Sequence, residues 1–204
     1  MIMLIELHNQ KLRQAKKRTL ILFGLFVLLF ALSLICIGWT QKENKRLKEE
    51  RDLWKEDAKS LMAKFEALKV LQSKPMTIGQ AFEVLDAFAS QPDIPISIVL
   101  AMIDQESEFF PRAISVKGAR GLTQVMPETI KYYIKDAALQ KQIDRPSVNV
   151  TGGLMHLVYL KSKFGTWDKS LRAYFAGDDQ ANNKAFDWYP RSVLRKATKY
   201  KYLE

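Results

Sequence analysis

The chain has 204 residues, 48% of them hydrophobic and 26% charged, which excludes a fully disordered or collagen-like protein. One cysteine, Cys36, and two separated histidines, His8 and His156, exclude a disulfide framework and argue against a Cys- or His-rich metal site, so no metal and no cofactor is expected. The net charge is +10, but residues 76–204 hold 17 basic against 14 acidic side chains, too even a balance for a nucleic-acid footprint, and no nucleic-acid partner is expected.

Residues 1–19 hold five basic side chains and one acidic one, a short cytoplasmic head rather than a domain. The next 20 residues, Leu20 to Trp39, carry no charge. At about 1.5 Å per residue they match a hydrocarbon core of roughly 30 Å. Signal-peptide apolar regions are shorter, about 7–15 residues. No small-residue cleavage site follows, and Ile35 spoils a lipobox around Cys36. The expectation is an uncleaved transmembrane signal anchor over 20–39. Lys11, Arg13, Lys16, Lys17 and Arg18 would stay inside, and the C-terminal part would lie outside the cytoplasmic membrane, or on a virion membrane in a phage.

Residues 40–74 are rich in Lys, Glu, Leu and Ala and lack Gly and Pro, which predicts a helical stalk. About 33 helical residues reach roughly 50 Å. Leu47, Trp54, Leu61 and Leu68 recur every seven residues, while the companion seam Arg51, Ala58, Phe65 and Gln72 is half polar. That pattern suits self-association or a partner helix through a coiled coil, and equally a single solvated stalk.

From Pro75 to Glu204 the pattern is that of one mainly helical domain. Predicted helices run over Thr77–Ala89, with Thr77 and Gln80 as a capping pair, and over Ile96–Phe109 between two prolines. Others start near Pro127, run over Thr151–Lys163 and Trp167–Ala176, and close over roughly Pro190–Tyr200. No alternating strand longer than four residues is evident.

Glu106 falls three, four and seven residues after Ile103, Met102 and Val99, on the apolar face of its predicted helix, and Phe109 and Phe110 continue that face. Asp104 and Glu108 point elsewhere. A carboxyl in apolar surroundings is held protonated toward neutral pH, which suits a general acid. The alternative is an ordinary core-edge Glu paired with Arg112 or Arg120. Gly118 and Gly121, before a Pro-started helix, mark a close backbone approach, with Gln124 at the lip. Its amide suits the hydroxyl and acetamido groups of a sugar, and equally a plain helix cap.

Glu106-Ser107-x-Phe109-x-Pro111-x-Ala113-x-Ser115, then Gly118-Ala119-x-Gly121-Leu122-x-Gln124-Val125-Met126-Pro127-x-Thr129, resembles the soluble-type lytic transglycosylase domain. Val148-Asn149-Val150, Gly152-Gly153 with Tyr159-Leu160, Ala173-Tyr174-Phe175-Ala176-Gly177 and Trp188-Tyr189-Pro190 are similar to its later motifs in looser form, over about residues 92–195. The resemblance implies a goose-type-lysozyme-like helical fold. It implies cleavage of the β-1,4 bond between N-acetylmuramic acid and N-acetylglucosamine in peptidoglycan glycan strands, with a 1,6-anhydro product. Carried over by position, Glu106 is the catalytic acid, and Ser107, Gln124, Met126, Asn149, Tyr174 and Tyr189 bind substrate. Tyr132, Tyr133 and Tyr189 are candidates for stacking on sugar rings, against core packing. The family's Asn after the Tyr is Phe175 here, which removes an amide contact.

Two other readings keep the residues and change the outcome. One is a goose-type hydrolase using water, with Asp168, Asp178 or Asp179 as a second carboxylate. The other is a non-catalytic glycan-binding component of an envelope machine or a phage particle. His156 and the sequon at Asn149 carry little weight beside these.

Overall fold

A computed structural model describes the backbone of residues 2–91 and 93–204, and side chains from residue 25 onward except Val27 and Pro92. Helix α1 runs over Ile2–Gln72. Among the described residues no helix is long and apolar enough to cross a membrane. The expected anchor lies partly outside those residues, because the side chains at 20–24 and 27 are not described.

Two compact units divide the chain, Met1–Ala58 and Lys59–Glu204. The second begins well before the expected boundary at 75. The reason is packing: Ala67 and Leu71 are fully buried in its core, with Leu68 and Val70 against them. Leu68, the last position of the predicted heptad seam, is therefore committed to this core. Leu47, Trp54 and Leu61 remain exposed.

Helix α2 is Ile78–Ala89, and Thr77 with Gln80 forms the predicted capping box. Helix α3 is Ile96–Glu106, three residues shorter than predicted. Every residue from Ile96 to Ile103 is buried, so this helix is covered all round rather than on one face, as a central core helix is. Short helices α4, Pro127–Tyr133, and α5, Ala137–Gln140, follow; α5 was not predicted. Helix α6, Pro146–Phe164, starts five residues before the predicted Thr151, with Pro146 in its first turn. Helix α7 is Trp167–Ala176, as predicted, and α8 is Trp188–Ala197, extended by a 3-10 segment over Thr198–Leu203.

Within the second unit α2 and α7 pack on α6, while α8 packs on α3 and α7. Two isolated bridges, Ile114 with Arg120 and Arg120 with Val125, are the only β pairing among the described residues. They tighten the loop between α3 and α4, which approaches the C-terminal end of α3.

Candidate active site

The last three residues of α3 are polar and half-buried, and each meets a partner near α8. Asp104 pairs with Lys196 at 3.1 Å and accepts from the Tyr200 hydroxyl at 3.3 Å. Gln105 accepts from Ser192 at 2.7 Å. Glu106 accepts a hydrogen bond from the Tyr189 hydroxyl. Of the two carboxyls, only Asp104 has a cation. Arg120, one expected partner of Glu106, pairs instead with Asp144.

Glu106 is thus a partly buried carboxyl with no countercharge among the described residues. Burial raises its pKa to about 7, and the Tyr189 hydrogen bond opposes that rise. No charged neighbour among the described residues contributes. Its position at the helix C-terminus also disfavours a negative charge.

The backbone breaks sharply after it. Glu108 has φ 50° and Phe109 φ 66°, both in the left-handed region that non-glycine residues rarely occupy. These two residues end the helix at Glu106 and correct the expectation that Phe109 and Phe110 continue its face. Phe109 is buried and pins the turn, while Phe110 is exposed. Ser107 is buried too. Its hydroxyl lies 2.8 Å from the Leu122 carbonyl and 3.1 Å from that of Ile103. The expected substrate-binding hydroxyl is a tie between α3 and the next loop.

That loop is fixed by Asn149 on the first turns of α6. Asn149 has no exposed surface. Its Oδ1 accepts from Thr123 N and Thr123 Oγ1, both at 2.9 Å. Its Nδ2 donates to the Arg120 carbonyl at 2.8 Å and the Ile143 carbonyl at 3.0 Å. Asn149 therefore has no free atom for a glycan, and the expected binding role is corrected to a structural one. Gln124, at φ 47°, donates both amide hydrogens to the backbone, to Ala113 and Gly121 carbonyls at 3.1 and 2.9 Å. Only its Oε1 is left to meet a ligand. Met126 is exposed at the start of α4. Tyr174, half-buried, donates to the Thr123 carbonyl at 2.9 Å. Burial, and then the Glu106 charge, push its hydroxyl pKa far up, so it remains a neutral donor beside the acid.

Tyr189 is 1% exposed. Its ring is packed in the core, the second of its two readings, and is not free to stack on a sugar. Burial and Glu106 hold its hydroxyl protonated well above the ordinary tyrosine range, so it donates permanently to Glu106. Sequence reasoning had no signal for this bond, which joins residues 83 positions apart. Phe175 stacks on the Tyr189 ring, with centroids 4.7 Å apart. Tyr132 is exposed, and Tyr133 lies 3.3 Å from His156 Nδ1. Burial lowers the His156 pKa, which makes it a neutral packed residue. Of the three candidate second carboxylates, Asp178 is paired with Lys163 at 2.7 Å, and Asp168 and Asp179 are exposed.

Comparison with known proteins identifies the family of this segment. The family model described as "Transglycosylase SLT domain" matches residues 83–188, just over half of the chain. A transglycosylase of Enterobacteria phage PRD1 is 32% identical over 117 residues, 57% of this chain and 42% of that protein. The soluble lytic murein transglycosylase of Escherichia coli K12 is 31% identical over 88 residues, 41% of this chain and 14% of its own. The crystal structure of the 70 kDa soluble lytic transglycosylase from Escherichia coli superposes with a TM-score of 0.52 at 26% identity, covering 57% of this chain and 24% of that one. The chain thus spans less than half the length of the curated relatives it matches. With Glu106, the α3–α4 loop and Asn149 all inside the matched segment, the chain belongs to the transglycosylase SLT domain family.

Proposed function

We propose that the chain is a peptidoglycan lytic transglycosylase in which Glu106 acts first as general acid and then as general base. The observation that carries this is the carboxyl at the end of α3, bonded to the Tyr189 hydroxyl and without a cation among the described residues, where burial raises its pKa to about 7. The protonated carboxyl gives its proton to the leaving glycosidic oxygen as the C1–O bond breaks. The C6 hydroxyl of the same N-acetylmuramyl residue attacks C1 and closes the 1,6-anhydro ring. Its proton goes to the Glu106 carboxylate, which restores the starting state. No water is consumed, so the second carboxylate that a hydrolysing glycosidase uses is not required. Among the described residues no charged neighbour acts on Glu106, in keeping with a single-carboxyl mechanism. The neutral hydroxyl of Tyr189 would keep the carboxylate form tolerable between the two proton transfers. Gln124 Oε1 and Met126 would meet the glycan.

The pH dependence tests this. Purified peptidoglycan incubated with the full chain is expected to release soluble fragments, with kcat/KM falling above about pH 7 as the acid form is lost. Tyr189→Phe removes the bond that favours the carboxylate, so the falling limb is expected to move to higher pH. A limb unmoved in Tyr189→Phe, or no release at any pH, contradicts the assignment.

We also infer that residues 20–39 anchor the chain in a membrane, with the SLT domain on the cell-wall side or on a virion membrane. The support is the uncharged 20-residue run together with exposed Leu25, Phe26, Leu28, Leu29, Phe30, Ile35 and Trp39, all at least half exposed and uncovered by the chain itself. The full chain is expected to sediment with membranes and to leave them in detergent but not in alkaline carbonate. Release by carbonate would remove the anchor.

A further inference from the structure

Phe175 stands where the family resemblance expects an amide, and its surroundings indicate what it does instead. Its ring lies nearly parallel to that of Tyr189, with 4.7 Å between centroids and 21° between planes. Trp188 meets Phe175 edge-on at 4.8 Å and 78°, and Phe186 flanks it at 6.1 Å. Tyr189 is buried beneath, and its hydroxyl holds Glu106. Phe175 is 43% exposed and Trp188 is 50% exposed. Two large aromatic side chains therefore stand half in water, in direct contact with the tyrosine that bonds the acid.

The segment that carries them is firmly held. Arg172, buried on α7, binds the Ala181 carbonyl and pairs with Asp187 at 2.7 Å. Asp187 immediately precedes Trp188, so α7 and the start of α8 are tied together next to the aromatic pair. An exposed aromatic surface one buried ring away from a reactive carboxyl is suited to the flat C–H face of a pyranose ring, since aromatic faces carry negative potential and those hydrogens are weakly positive.

We propose that Phe175 and Trp188 form an aromatic platform that stacks on an N-acetylhexosamine ring beside the scissile bond, replacing the lost amide contact with an apolar one. The proposal rests on the transglycosylase reading for the location of the scissile bond, but binding can be measured without cleavage. Because it exchanges a directional hydrogen bond for stacking, it makes this subsite tolerant of the substituents on that ring.

The test uses the full chain and soluble N-acetylglucosamine hexamer, with binding followed by calorimetry and cleavage of peptidoglycan followed separately. Phe175→Ala and Trp188→Ala are each expected to weaken hexamer binding about tenfold. Phe175→Tyr, which keeps the ring, is expected to bind within about twofold of the parent. For peptidoglycan the loss is expected in KM rather than in kcat. If Phe175→Ala loses its near-ultraviolet circular dichroism, Trp188→Ala carries the test alone, because half of that side chain is already in solvent. Unchanged binding in the Ala variants overturns the platform, as does failure of the parent to bind the hexamer. A fall in kcat with unchanged KM, and a basic limb moved to lower pH, would make Phe175 a water shield for Glu106 and would also overturn it. Weakened binding in the Ala variants, in a chain that releases no product, leaves the platform standing and removes the proposed activity instead.

Discussion

Glu106→Gln is expected to fold like the parent chain and to lose about three or more decades of transglycosylase rate. General acid–base catalysis supplies roughly 10²–10⁴-fold for one proton transfer, and here one group serves both transfers. The amide keeps an oxygen that accepts from Tyr189, so the local packing survives. The same substitution has a stability signature that separates it from simple misfolding. With its pKa near 7 in the folded chain against an ordinary 4.5, Glu106 holds a proton in the folded state that the unfolded state releases. Its contribution is fully present below about pH 4.5, falls as pH rises, and is lost above about pH 7. Gln does not titrate. Glu106→Gln should therefore be more stable than the parent above pH 7, by up to about 3 kcal/mol, with the difference closing in acid. Denaturant titrations at two pH values check this. Equal offsets at both would mean that Glu106 ionises normally.

The second large effect is on stability, at Gly121. Its φ is 75°, which costs an ordinary residue about 1–2 kcal/mol. A Cβ there would sit 2.2 Å from Asn149 Nδ2. Asn149 cannot step aside, because its amide holds Arg120, Thr123 and Ile143 at once. Gly121→Ala is therefore expected to destabilise the domain by about 4 kcal/mol, at the severe end for one substitution. Asn149→Ala is costly as well, since it leaves several buried backbone groups without partners. It also removes the obstacle. In the Asn149→Ala background, Gly121→Ala should cost only the backbone term of about 1–2 kcal/mol. Near-ultraviolet circular dichroism reads the unfolding of this domain without the backbone helix signal of the long α1. Additive losses in the double variant would mean that the two residues do not collide.

What the sequence revealed follows from how local each signal was. Thr77 with Gln80 and Gly177 after Ala176 are short-range signals, and the elements they bound came out as read. Pro146 was an equally local start signal for α6 that the pattern reading passed over. Glu106 was identified for a reason the structure modifies. The apolar face that singled it out belongs to a helix buried on all sides, and its distinction is that the helix ends there without a cation to meet it. That end was invisible in the sequence because Glu108 and Phe109 adopt left-handed backbone without being glycine. The motif resemblance points to Asn149 and Tyr189, but the contacts that define what they do lie 26 and 83 positions away. The docking of residues 59–72 on the core was hidden for a similar reason. A helix covered along its last turns and a solvated stalk have the same composition.

Digestion of purified peptidoglycan by the full chain in heavy-oxygen water, with the new fragment ends weighed by mass spectrometry, tests the central claim most directly. The single-carboxyl mechanism predicts 1,6-anhydro-muramyl ends, lighter than reducing ends by one water and free of the heavy isotope. Reducing ends carrying heavy oxygen would contradict it and would make the chain a hydrolase.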